Sequence, residues 1–144
     1  MDNTEFWKGD FGDAYANRNN SPELLKSKEW MFRRMLAPVF HANVSKVVEF
    51  GANIGLNLIA MARIAHFALC KFTAVEVNEK ACACLRLLGS AGTLVVHNDE
   101  MQGLQRPWGN DHDLAISMGV LIHIHPEDLP HCYDALFEAS RRFI

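Results

Sequence analysis

Three acids and a histidine stand where this sequence can do chemistry: Glu49, Glu76, Asp99 and His123. Glu49 ends the apolar β-type run Val47-Val48. It opens the stretch Glu49-Phe-Gly-Ala-Asn-Ile-Gly-Leu-Asn57, whose glycines are Gly51 and Gly55. Leu56, Leu58, Ile59 and Met61 then make a helix-compatible run. A strand, a glycine-containing turn and a helix in that order open backbone N–H groups onto a ligand. A dinucleotide fingerprint wants glycines at the first, third and sixth positions, which here are Gly51, Asn53 and Leu56. Two of the three fail. A carboxylate beside the turn also repels a pyrophosphate in a partly dehydrated site.

The other candidates fall at the ends of further predicted strands. In an open α/β sheet the ligand sits beyond the carboxyl ends of the strands. The loop after strand one, Glu76, Asp99 and the segment 118–125 therefore share one location. Glu76 follows Gly51 by about 25 residues, near the spacing at which an acid meets an adenosine ribose. A carboxylate accepts from both ribose hydroxyls, though a solvated acid capping the next helix is an equally simple role. Asp99 is the analogous acceptor for an exocyclic amine. Asn53 tolerates positive φ better than other non-glycine residues, so the turn survives there; its amide either reaches the ligand or only caps the turn. Gly119 permits close backbone approach. His123 is either a general base or a ring packed beside the ligand. His123, His125, His131 and Cys132 lack the CxxC or HExxH spacing of a zinc site, so no metal is expected.

The elements that position these residues alternate. Strands are expected at about 46–50, 72–76, 93–97 and 113–117, with helices at about 56–66, 79–88 and 126–140. Ser21-Pro22-Glu23 starts an earlier helix, with Ser as N-cap and Pro in the first turn. Its apolar stripe is Leu24, Leu25, Met31, Phe32, Met35, Leu36 and Val39, and Pro38 marks an end nearby. In the helix near 126–140 the inner face is read as Leu129, Cys132, Tyr133, Leu136 and Phe137. Gly89 to Gly92 break the chain. The first twenty residues read as short helical pieces capping something else. Such alternation predicts a mostly parallel, doubly wound α/β sheet of Rossmann-like type, with helices on both faces and right-handed crossovers. Residues 1–43 form an N-terminal helical cap segment and 44–144 the α/β core. Arg141-Arg-Phe-Ile144 begins a fifth strand at which the sequence stops, as a truncated product of a longer protein would.

With 144 residues, the sequence suits one domain around a single core. At 49% hydrophobic and 22% charged residues it is globular rather than disordered. A formal charge of −3 argues against a nucleic-acid partner, which needs a concentrated basic surface. The acidic start lacks the order of a signal peptide, and nothing approaches a membrane span. Cys70, Cys82, Cys84 and Cys132 form no CxxC pair and read as small buried thiols of a reducing cytoplasm.

The pattern Glu49-x-Gly51-x-Asn53-x-Gly55 resembles the acid-x-Gly-x-Gly-x-Gly loop of class I S-adenosylmethionine (SAM) dependent methyltransferases. Gly119-Val-Leu-Ile-His123 is similar to that family's glycine or serine, aliphatics, then histidine after strand four. Phe6-Trp-x-Gly-x-Phe-Gly-x-x-Tyr15-x-x-Arg-Asn19 and Val75-Glu-Val-Asn78 narrow the likeness. Together with the two motifs they resemble the methylases associated with pseudaminic acid biosynthesis. The resemblance implies SAM as cofactor, which carries no phosphate and whose cations tolerate Glu49. It implies cofactor contacts from Glu49, Gly51, Ala52, Asn53 and Gly55 in the first loop, and from Glu76 and Val77 after strand two. Asp99 and Glu100 follow strand three, and Met118 and Gly119 follow strand four. Tyr15 and Arg18 either close over the pocket, Arg18 pairing with the cofactor's carboxylate, or anchor the first segment by packing. The acceptor implied is a small molecule, a sugar or nucleotide-sugar of cell-surface glycan synthesis, with His123 as the base. In that family the chain continues past strand five.

Overall fold

The computed structural model describes residues 3–89, 92–102 and 110–144. The middle of the Gly89–Gly92 break and the first two residues of the acidic start lie outside them. Three helices come first: α1 (Asn3–Lys8), α2 (Asp10–Arg18) and α3 (Pro22–Met35). The core follows as β1 (Lys46–Phe50), α4 (Leu56–Ala62), β2 (Lys71–Glu76), α5 (Glu79–Leu88), β3 (Leu94–Asn98), β4 (His112–Ser117), α6 (Leu129–Ala139) and β5 (Ser140–Phe143). The five strands form one sheet in the order β3-β2-β1-β4-β5, with every neighbouring pair parallel. The order reverses direction between β1 and β4, and that reversal is where a crevice opens in such sheets.

Local chemistry sets the ends of the helices. Ser21 Oγ accepts the Leu24 N–H at 3.1 Å, and Pro22 occupies the first turn, where its missing N–H costs nothing. Asn78 caps α5 by accepting the Ala81 N–H at 2.9 Å. Pro126 does not begin α6. Residues 121–123 form a 3-10 turn and the Asp128 N–H closes onto His125 O, so the helix starts at Leu129 with Pro130 in its first turn. The helix expected through residue 66 ends at Ala62 and passes into a 3-10 turn at Ala65–Phe67.

Each face of the sheet carries its own apolar layer. Val47, Phe72, Ala74 and Leu114 pack with Phe32 of α3 and Leu36 at its C-cap, with Leu58 and Met61 of α4, and with Leu85 of α5. Val48, Phe50, Val75 and Ala115 face the other way, against Cys132, Ala135, Leu136 and Ala139 of α6. Strand residues two apart share a face, so Glu49 points to the same side as Val47, under α3 and α4. Three expected inner residues turn out to be exposed: Met35, Tyr133 and Phe137. On α6 the small residues Ala135 and Ala139 let the helix approach the sheet, which rotates Tyr133 and Phe137 outward. Cys84 is likewise exposed, while Cys70, Cys82 and Cys132 are buried. Among the described residues no helix is long and apolar enough to cross a membrane.

Candidate functional site

The turn after β1 is built on positive φ: Gly51 at 77°, Asn53 at 48° and Gly55 at 86°. A Cβ on Gly51 would lie 2.1 Å from Val120 Cγ2, so the glycine lets the loop after β4 close against the first turn. Asn53 keeps the left-handed geometry without a glycine.

Four of the turn's own donors are already used. The N–H groups of Gly51 and Ala52 both go to Val75 O, at 2.8 and 3.1 Å, and the Gly55 N–H goes to Ala52 O. The Asn53 N–H goes to Glu76 Oε2 at 2.7 Å. A phosphate cradle needs these groups free and pointing at an anion. This loop instead ties these backbone groups to β2 and to itself and lies beside a carboxylate, an acceptor suited to a ligand's hydroxyls and cations.

Above the turn lies a cavity of about 350 Å³. Ten of the residues singled out in the sequence reach its wall: Tyr15, Gly51, Ala52, Asn53, Glu76, Val77, Asp99, Met118, Gly119 and His123. Glu76 is buried, and its Oε1 accepts the Asn78 N–H at 2.9 Å while Oε2 holds Asn53. Burial raises its pKa, and the N–H groups of Asn78 and Asn53 oppose the rise. Each oxygen keeps an acceptor site beyond its backbone bond. Asp99 is placed beside it, its N–H donating to Glu76 O at 3.1 Å.

Four of the expected residues do not line the cavity. Arg18 lies over the Phe11 ring, 5.6 Å from its centroid, drawn there by the ring's negative face. Glu100 accepts from Lys8 Nζ at 2.5 Å, which holds α1 on the core. Gly55 is covered by α5, and a Cβ there would lie 2.8 Å from Leu85 Cδ2. Glu49 sits behind the wall, fully buried. Asn57 Nδ2 donates to its Oε1, and Asn57 Oδ1 in turn accepts from Lys28 Nζ at 2.7 Å. Burial pushes the Glu49 carboxyl up to about 8, against the pull of Asn57 and Lys28 and with a further push from Glu76.

The N-terminal helices roof the cavity. Asn78 Nδ2 donates to Trp7 O at 3.2 Å and to Asp13 Oδ1 at 2.9 Å, and Asp13 also pairs with Lys80. Gly12 is required at this junction, since a Cβ there would fall 1.9 Å from Trp7 O. The Trp7 ring then packs on His123, with centroids 4.9 Å apart, and on Tyr15 at 5.2 Å. Trp7 and Asn57 are wall residues that stand within the motifs but were given no role by them, and Lys28 is a wall residue outside the motifs. No group of three or more His, Cys, Asp or Glu that could hold a metal occurs among the described residues.

No protein-family model matches this sequence, and a search of curated proteins returns no significant relative. Solved structures do match. The plantazolicin methyltransferase BpumL, in complex with a pentazolic analog and S-adenosylhomocysteine, aligns at a TM-score of 0.66 with 15% identity, over 91% of this chain and 51% of that one. The SAM-bound amino pentose methyltransferase CalS10 of Micromonospora echinaspora aligns at 0.62 with 14% identity, over 88% and 49%. The methyltransferase domain of a bacterial Hen1 aligns at 0.61 with 19% identity, over 82% and 63%. The chain thus spans between 49% and 63% of the length of these structures. It has the Rossmann-like fold that these methyltransferases share.

Proposed function

We propose that the protein is a SAM-dependent methyltransferase acting on a small-molecule acceptor. One observation carries the reading: the turn after β1 spends the N–H groups of Gly51, Ala52 and Asn53 on Val75 O and Glu76, and sets the Glu76 carboxylate at the cavity wall. A nicotinamide dinucleotide would need N–H groups of that turn free for its pyrophosphate. Glu76 would take the ribose hydroxyls and Asp99 the adenine amine. The positive-φ turn at Gly51 leaves room for the chain linking the sugar to sulfur. When bound, SAM supplies an electrophilic methyl group on a sulfonium.

The chain's own contribution is placement and one proton. Trp7 and Tyr15 wall the side of the cavity on which His123 lies and would shield the reacting atoms there. A sugar hydroxyl is a poor nucleophile at neutral pH, so His123 would accept its proton as the oxygen–carbon bond forms. The acceptor we favour is a sugar or nucleotide-sugar of the pseudaminic acid type. The N-terminal motif supports that choice, as does likeness in fold to an amino pentose methyltransferase. Titration of the purified chain with SAM, S-adenosylhomocysteine and NAD tests the reading. Binding of the first two and not of NAD is expected; binding of NAD alone would overturn it.

A further inference from the structure

Among the described residues on the cavity wall, Lys28 is the one lysine or arginine. It reaches the wall from α3, where Leu24 and Phe32 share its four-residue spacing, which Leu36 continues at the helix C-cap. Its ammonium contacts the carbonyl of Asn57, whose NH₂ contacts Glu49, so a neutral amide links a cation at the wall to an acid behind it. The second oxygen of that acid, Glu49 Oε2, is buried and has no hydrogen-bond partner. The charged groups acting on Glu49 are Lys28 from α3 and Glu76 from β2. From α4 it meets neutral Asn57, and on β4 its register partner is Ile116. With so little compensation, burial favours the protonated form of this carboxyl.

We infer that the Lys28–Asn57–Glu49 chain receives the zwitterionic amino-acid end of the cofactor, and that filling it drives a proton from Glu49 into solvent. The inference rests on the cofactor reading above. Lys28 takes the ligand's carboxylate. The ligand's ammonium, brought to the same wall, lowers the cost of ionising the acid behind Asn57. The proton leaves Glu49 for the buffer, and Lys28 and the ammonium keep theirs. The free protein thus avoids a bare buried carboxylate, and the charge appears only when a cation arrives to meet it.

Two ligands separate the parts. S-adenosylhomocysteine carries the amino-acid end, and 5′-methylthioadenosine has the same adenosine without it. Calorimetry at pH 7 in buffers of different ionisation enthalpy should show about one proton released with the first ligand and none with the second. Affinity for S-adenosylhomocysteine should rise between pH 6 and about pH 8, by up to roughly tenfold per unit, while that for methylthioadenosine stays flat. Glu49→Gln, which keeps the shape, should abolish both the proton release and the slope. Lys28→Met should weaken S-adenosylhomocysteine by roughly tenfold or more and leave methylthioadenosine unchanged. Binding of S-adenosylhomocysteine without proton release, or an equal loss of both ligands in Lys28→Met, overturns the inference and leaves the methyltransferase reading standing. If neither ligand binds, both fall.

Discussion

The Glu76 carboxylate takes the Asn53 backbone N–H at 2.7 Å, so one side chain at the tip of β2 fixes the turn after β1. The same group accepts the Asn78 N–H at 2.9 Å and thereby also fixes the entry to α5. A residue placed like this shapes the cavity and faces its ligand at once.

Replacing Glu76 should therefore damage binding and the loop together. Glu76→Ala removes charge-assisted acceptors worth about 1–3 kcal/mol to S-adenosylhomocysteine affinity, and lowers the melting temperature of the free protein. Glu76→Gln keeps one acceptor but sets an NH₂ against a backbone donor, so it should fall between the two. Calorimetry reads the affinity and thermal unfolding reads the loop. An unchanged affinity in Glu76→Ala removes this residue from the site.

Most of the sheet was legible because each buried strand is a short apolar run bounded by turn residues, and Glu49, Glu76 and Asp99 fall just where those runs end. Boundaries moved where polar or proline residues sit on both sides of an element's start, as at Pro126 and Pro130. Apolar identity misled on α6. Tyr133 and Phe137 fit a helical stripe, yet close packing on the sheet selected the alanines. Lys28 did leave a trace, a cation interrupting the stripe of Leu24, Phe32 and Leu36, but that stripe gives no hint of Asn57 on another helix. Arg18 stands where the N-terminal motif invites a ligand contact, and only the fold reveals that Phe11 holds it. The docking of Trp7 onto Asn78 spans 71 positions of sequence and has no local signature.

Asn78 separates capping from docking, because its two amide atoms do different jobs. Oδ1 caps α5 through the Ala81 N–H, while Nδ2 holds Trp7 O and Asp13 Oδ1. Asn78→Asp retains the cap but turns a second carboxylate toward Asp13. That repulsion should undock the roof and cost about 1–3 kcal/mol with the cap kept, whereas Asn78→Ala should lose about 1 kcal/mol with the cap and add no charge at the junction. Both variants should exchange backbone amides faster over residues 3–18, since the roof has lost its anchor. If exchange there is unchanged in Asn78→Asp, the roof is held by its aromatic contacts instead.

At the opposite end of the sheet, Asp113 ties three strands together. Its Oδ2 accepts the N–H and hydroxyl of Ser45, each at 2.8 Å, and the Lys46 N–H at 3.1 Å; Oδ1 accepts Arg141 Nη2 at 2.9 Å. Burial alone would raise this carboxyl, but the donors from Ser45, Arg141 and Lys46 outweigh it and hold it well below its ordinary 3.8. A depressed folded value makes the ionised form a source of stability. That stability is complete well above pH 3.8, where the unfolded chain is also ionised, and is lost as pH falls through the folded value. Asp113→Asn should cost roughly 3–5 kcal/mol near neutrality, because an NH₂ then faces either the Ser45 and Lys46 N–H groups or the Arg141 guanidinium, none of which can accept. The gap between variant and parent should narrow steadily below about pH 4, as the parent alone gives up the contribution of the charge. Urea midpoints measured from pH 7 to pH 2.5 read this directly. A gap of constant size across that range would mean that the hydrogen-bond geometry matters and the charge does not.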